Sequence, residues 1–345
     1  MDQAREARDV RARDSLARTA GLLLGTLALA TAFIAAYVGA LHQPTPRDLP
    51  VGFALGDQRA EEVLAAVRGQ TDIIKPVEYD DPGAAEDGLK NRQVYGVLTA
   101  NPEGLLLTIA SASGPSATGA ITEVLRAAAQ RAGTPLKITD EVPVVSVDPR
   151  GVVPFYLNVG YVLGGYLAST VLGIASGTTP RSPRRAGLRI AALAVYSVLL
   201  GVAGSLVVGP GLGIWNDEVL TIAAVGALAV LAAAMIASAI QGWLGIAGTA
   251  LVILLLVVLG NPGSGGIFAP EFLPGWLRTM HRWNIPGLAN DLTKSAVYFD
   301  WWSAGWPAIL LALWALVGGV GLVAASLVRG RRAGPPRSPT TDQGG

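Results

Sequence analysis

Six apolar stretches dominate the chain, at 20–41, 152–174, 190–208, 219–240, 243–259 and 305–328. A helix needs about 20 mostly apolar residues to cross about 30 Å of hydrocarbon, so each stretch is expected to span a bilayer. The fifth is the shortest. Gln241 and Gly242 alone part it from the fourth, which predicts a tight helical hairpin at those two residues. The first stretch follows a basic segment, as a signal peptide would. Its 22 residues exceed the about 7 to 15 of a cleaved apolar region, so it is read as a retained anchor.

The longest break in the pattern, residues 42–151, reads as a folded unit of 110 residues, large enough for its own core. Short β-rich runs lie at 51–55, 73–79, 94–99, 105–110 and 142–147, with helical patterns between them. Asp57 is placed to cap a helix that carries Val63, Leu64 and Val67 and stops at Gly69. Pro82 opens a second through Leu89. Pro115 opens a third, with Ile121, Val124, Leu125 and Ala128 on one face and Gly133 as its stop. The order β-α-β-α-β-β-α-β predicts a small α/β sandwich, flanked by stiff linkers at Pro44, Pro46 and Pro50 and at Pro143, Pro149 and Pro154.

Charge sets the expected orientation. With the N-terminus inside, the short inner connections hold thirteen arginines, among them Arg5, Arg8, Arg181, Arg184, Arg185, Arg189 and Arg329. The short outer ones hold Arg278, Arg282 and Lys294, so the positive-inside rule places both termini in the cytoplasm. The 42–151 unit carries ten basic and fifteen acidic residues and falls outside. The expected organisation is a cytoplasmic basic tail at 1–19, a transmembrane helix at 20–41, an extracytoplasmic α/β domain at 42–151, a five-helix membrane domain at 152–328 with an outer hairpin at 260–304, and a cytoplasmic tail at 329–345. Composition agrees with an α-helical membrane protein of six transmembrane helices: 51% hydrophobic, 15% charged, mean hydropathy +0.45. Twenty-two arginines against four lysines fit a GC-rich bacterial genome and hence a plasma membrane.

Several chemistries are excluded or disfavoured. A net charge of +1 leaves no broad basic surface for nucleic acid. The absence of cysteine removes disulfides, thiolate nucleophiles and Cys-based metal sites. Lys75, Lys90, Lys137 and Lys294 all follow a residue other than glycine, so there is no P-loop. The span interiors carry no Asp, Glu, Lys, Arg or His, the residues on which proton coupling depends. Ser264, in Gly263-Ser264-Gly265-Gly266, lacks nucleophile-elbow spacing and reads as a turn. No enzyme, cofactor or metal is therefore expected, and the chain has no energy source of its own.

Packing signals are clearer. Gly21-x-x-x-Gly25, Gly160-x-x-x-Gly164 and Ala233-x-x-x-Ala237 suit close helix approach. Span two is unusually polar and aromatic, and Tyr156, Asn158, Tyr161 and Tyr166 are the candidates for a substrate path, with Ser169 and Thr170 beside them. The alternative for the same residues is hydrogen bonding within the bundle. In the outer hairpin, Pro274 opens a helix with Trp276, Leu277, Met280 and Trp283 on one face and Arg278, His281 and Arg282 on the other, a pattern suited to the membrane interface. A second helix then leads to Tyr298, Trp301, Trp302 and Trp306, an aromatic belt before span six.

This layout resembles the type-2 ABC-transporter permeases, in particular the branch that includes the phage infection protein. The residues that carry the likeness are 41–51 (LHQPTPRDLPV), Val153-Pro154-Phe155-Tyr156 with Gly164-Gly165, Asn261-Pro262-Gly263-Ser264-Gly265-Gly266, Leu273-Pro274 and Ala296-Val297-Tyr298-Phe299-Asp300. The resemblance implies a homodimer or heterodimer of six-helix units in the lipid bilayer, moving a hydrophobic or amphipathic substrate with a separate ATPase. The chain departs from it at 175–189, where a cytoplasmic coupling helix is expected but Pro180 and Pro183 interrupt the connection. The rival reading is a non-enzymatic surface binding protein or phage receptor anchored by its helices.

Overall fold

The computed structural model describes residues 2–329. The side chains of 2–14 and Arg18, together with Met1 and 330–345, lie outside the described residues, and with them most of the expected tail at 329–345. Five helices are long and apolar enough to cross a membrane: Ser15–Leu41 within α1 (Asp2–Leu41), α5 (Val153–Ser176), Pro183–Gly211 including α6 (Pro183–Leu206), Asn216–Leu244 including α7 (Val219–Leu244), and α11 (Gly305–Val328). They make the chain a multi-pass helical membrane protein.

The remaining apolar stretch is a shorter helix, Ala247–Leu259, built from α8 (Ala247–Ile253) and a π-helical continuation, Leu254–Leu259. The hairpin before it is not where the apolar pattern put it. Gln241 and Gly242 remain inside α7, and the turn falls at Gly245, whose φ of 68° suits glycine. The reason is polar: Gln241 is buried and its amide joins Ser169 Oγ (2.9 Å), Thr170 Oγ1 (2.8 Å) and Thr249 Oγ1 (3.2 Å), while Ser169 also meets Ser238 (2.7 Å). Extending α7 by a turn satisfies the amide inside the bundle, where an unmet one is costly.

α7 is the central helix, and its small residues set the packing. A Cβ on Gly165 of α5 would stand 2.6 Å from Val230 O, one on Gly201 of α6 2.4 Å from Ala223 O, and one on Gly318 of α11 2.4 Å from Met235 C. Each of three helices therefore approaches α7 through one glycine, as close packing in lipid requires. Ala233 and Ala237 lie fully buried on this surface, whereas a Cβ on Gly21, Gly25 or Gly160 would meet none of the described residues within 4 Å. Tyr161 enters a socket left by Gly204 and Gly226 and donates its hydroxyl to Gly201 O at 3.1 Å.

Residues between α1 and α5 form the α/β unit in the expected order: β1 (Leu49–Ala54), α2 (Gln58–Arg68), β2 (Ile74–Tyr79), α3 (Pro82–Lys90), β3 (Gly96–Asn101), β4 (Gly104–Ile109), α4 (Pro115–Arg131) and β5 (Leu136–Asp140). The sheet order is β2-β1-β3-β4-β5, with β3 and β4 antiparallel and the other neighbours parallel. Asp57 caps α2 through Ala60 N (3.0 Å) and also receives Ala100 N (2.7 Å), fastening the helix to β3. α2 and α4 pack on one face around Leu64, Leu107 and Ile121; α3 covers the other through Ala85 and Leu89. The last strand is Leu136–Asp140 rather than 142–147. Pro143 cannot donate to a ladder, and Leu136 and Ile138 alternate with exposed Lys137 and Thr139 as a half-buried strand does.

The segment between α8 and α11 contains α9 (Gly275–His281) and α10 (Ile285–Tyr298). α10 packs among α5, α7 and α11, and its end reaches the sheet unit. Phe299 joins the α3-side core, and Ala269 and Phe272 join the α2/α4-side core. The segment thus holds the α/β unit from both sides of its sheet.

The Tyr161 socket gives a test. Gly226→Val drives a branched side chain into the ring and is expected to cost about 2–3 kcal/mol. Tyr161→Phe, which loses a single hydrogen bond, should cost about 1 kcal/mol. Thermal unfolding of the purified protein in detergent ranks the two.

Candidate functional site: a buried polar joint

Where α10 meets the α/β unit, charge is buried. Asp291, on α10, receives Arg92 Nη2 at 2.8 Å on Oδ1 and His281 Nε2 at 2.9 Å on Oδ2. Arg92 also donates to Asp291 O (3.0 Å) and Ser295 Oγ (3.1 Å), and its guanidinium lies 5.8 Å from the Phe299 ring centroid. Three residues on, Lys294 is 3% exposed; its Nζ donates to Ser113 O at 3.1 Å and forms no ion pair within 4.0 Å among the described residues. Two further links flank these: Tyr95 donates to Glu271 Oε2 (2.7 Å), and Asn158 Nδ2 donates to Thr293 Oγ1 (2.8 Å) and to Pro154 O (2.8 Å).

Local structure aims each group. α3 ends in a Schellman turn, with Gln93 N bonded to Gly88 O (2.9 Å) and Arg92 N to Leu89 O (3.0 Å). Arg92 occupies the left-handed position usually taken by glycine, at φ 56°, and that backbone turn sends its side chain across to α10. Asn284 caps α10 by accepting Gly287 N and donates to Gly263 O (3.1 Å), pinning the α9–α10 corner to the Pro262–Ser264 turn. Asp148 is buried and caps α5 through Val152 N (3.1 Å) and Val153 N (2.8 Å).

Electrostatics follow from this arrangement. Burial alone would raise the Asp291 carboxyl, but the charges of His281 and Arg92, with hydrogen bonds from both, hold it well below the usual carboxylate range. Burial pulls the Lys294 ammonium down to about 8; Arg92 adds to that shift, while Asp291 and Asp148 oppose it. Burial and the Glu271 carboxylate push the Tyr95 hydroxyl well up. Arg92 Nε, Ser113 Oγ, Asn158 Oδ1, His281 Nδ1 and Asn290 Oδ1 are buried without a hydrogen-bond partner among the described residues. Such a set is suited to holding a proton or shifting between alternative hydrogen-bond partners. Ser264 is buried, and its Oγ donates to Asn261 O (2.7 Å). Among the described residues, no group of three His, Cys, Asp or Glu stands together as metal ligands.

The candidates named from sequence separate into several groups. Asn158 faces the joint; Tyr161 and Tyr166 are buried in helix packing; Tyr156 points outward and is mostly exposed. Trp276, Trp283, Trp301 and Trp302 are each about half exposed. In α9 the expected faces are redistributed, because Leu277 and His281, one helical turn apart, both turn inward. Arg92, Asp291 and His281 were not singled out as a site by sequence. The one available signal was a helix stop at Lys90-Asn91-Arg92 with no glycine in it.

Removing one member of the ion pair strands the other. Arg92→Ala is expected to cost about 3 kcal/mol, and the Arg92→Ala/Asp291→Ala double variant should cost less than the sum, by about 1–3 kcal/mol. Lys294 provides a pH test. Its folded pKa lies below the ordinary 10.5, so its burial destabilises fully below about 8 and is relieved as pH rises toward 10.5. Wild type should therefore gain stability over that window relative to Lys294→Met, and the variant should be the more stable at pH 7; paired melting curves measure both. Compared with known protein families, with characterised proteins and with solved structures, the chain matches none.

Proposed function

We propose that the chain is a permease-like membrane subunit that exports a hydrophobic or amphipathic substrate. In this reading it makes six passes through the plasma membrane, with Ala247–Leu259 as the fifth, has both termini in the cytoplasm, and carries the α/β unit on the outer face. The arginine asymmetry and the resemblance to type-2 ABC-transporter permeases of the phage infection protein branch support it. The resemblance implies the assembly, a homodimer or heterodimer driven by a separate ATPase.

The observation that carries the reading is the buried joint. An inert anchor needs no desolvated charge at its seam, since apolar residues of equal volume hold as well or better. A network of Arg92, Asp291, His281 and Lys294 between the α/β unit and a helix wedged among α5, α7 and α11 is suited to transmit movement from one to the other. The energy-coupling surface differs from that of the permeases it resembles. α5 and α6 are joined by 177–182, with no helix in between, and Arg181, Arg184 and Arg185 stand exposed there. An ATPase would meet this cationic turn.

The surface-binding alternative draws on one fact: Asn158, Tyr161 and Tyr166 fill space inside the bundle rather than line an opening. Deleting 48–148 divides the two. Lost binding of an envelope ligand or phage with unaltered resistance to hydrophobic toxins favours the receptor; altered resistance favours the permease. In liposomes, flux of a hydrophobic dye and ATP turnover by a co-purified ATPase should both depend on the chain, and Arg92→Ala should lower flux at least about tenfold if it uncouples the joint. Unchanged flux and turnover with and without the protein sink the proposal. For orientation, impermeant maleimide on intact cells should label exposed Ser146→Cys and spare Ser182→Cys; the reverse pattern overturns the topology.

A further inference from the structure

A cleft of about 410 Å³ opens along the seam beside the joint, with Phe299 shared between the two. Lys90 and Glu141 line it from the α/β unit, Tyr298 from the end of α10, and Asp300 and Trp302 from the turn between α10 and α11. Its volume is in the range of small-ligand sites. Lys90, Glu141 and Asp300 carry opposite charges into one cleft, yet none of their side chains forms an ion pair or hydrogen bond with another described residue. The cleft wall is also held in a costly shape. Asp300 (φ 45°), Trp301 (φ 67°) and Ser303 (φ 56°) are all left-handed without being glycine. Trp301 N to Ser295 O (2.9 Å), Trp302 N to Phe299 O (2.7 Å) and Ser295 Oγ to Ser303 Oγ (3.2 Å) keep it so.

We infer that this cleft binds the headgroup of a zwitterionic phospholipid from the surrounding bilayer. Trp302 and its exposed neighbour Trp301 immediately precede the membrane span Gly305–Val328, the position at which indoles sit among headgroups. Lys90 receives the phosphate. Asp300 and Glu141 receive the ammonium, with the Trp302 ring as its aromatic face. Two carboxylates against one cation disfavour a headgroup that is anionic overall. The inference rests on the cleft and its charges, so its failure leaves the transport proposal standing.

The test is native mass spectrometry of the delipidated full-length protein with dioleoyl phosphatidylethanolamine, phosphatidylcholine or phosphatidylglycerol at matched concentrations. Wild type should retain the two zwitterionic lipids about tenfold better than phosphatidylglycerol, the ratio a desolvated ammonium–indole contact with carboxylate support supplies. Glu141→Gln/Asp300→Asn should abolish that preference; asparagine suits a left-handed φ, so the turn is retained. Lys90→Gln should weaken all three lipids alike. Equal retention of phosphatidylglycerol by wild type overturns the inference without recourse to any variant. So does a preference that survives the double substitution, or displacement of lipid by soluble glycerophosphoethanolamine at the same concentration, which would assign the ligand to solution.

Discussion

Everything else in this molecule depends on how closely backbones can approach α7. In hydrocarbon there is little hydrophobic force between helices, because lipid tails are as apolar as leucine. Association then depends on contact, and contact depends on small residues. Gly165, Gly201 and Gly318 bring α5, α6 and α11 to within atomic contact of the α7 backbone. The same arrangement wedges α10 among α5, α7 and α11. A bulkier α7 would push α10 outward, and with it the carboxylate and ammonium that meet the α/β unit.

The seam between the two units is held by two kinds of contact. Phe299 and Phe272 enter the cores on opposite faces of the sheet and supply adhesion. Arg92, Asp291, His281, Lys294, Tyr95 and Glu271 supply direction, since each hydrogen bond tolerates little displacement. Desolvating those groups costs energy that apolar packing would not. The cost is intelligible if the seam has to choose between defined positions.

Backbone strain gathers at the same seam. Arg92 on one side, and Asp300, Trp301 and Ser303 on the other, take left-handed φ without being glycine. In the first case the strained residue delivers a guanidinium to Asp291; in the others the strained turn shapes a cleft wall. Strained residues persist where surrounding contacts over-determine them: Arg92 is held across the seam by Asp291 and Ser295, and the 300–303 turn by its own segment, through Ser295 and Phe299.

Local chemistry was legible in the sequence. Five of the six apolar runs fall on helices long enough to cross a membrane, Asp57, Pro82 and Pro115 mark helix starts, and β1 to β4 fall close to their β-rich runs, because caps, proline and side-chain periodicity act over a few residues. The last strand escaped because the valine-rich run at 142–147 drew the assignment, and only pairing with β4 shows that Leu136–Asp140 is the strand. The end of α7 escaped because Gln241 is read as a polar break in one dimension but finds Ser169, Thr170 and Thr249 in three. The joint was hidden most deeply. Arg92 and Asp291 stand 199 positions apart, and in a hairpin rich in Trp and Pro a lysine and a histidine read as solvent-facing. Only folding that lays α10 against the α/β unit removes their water, and burial is what turns ordinary surface charges into a site.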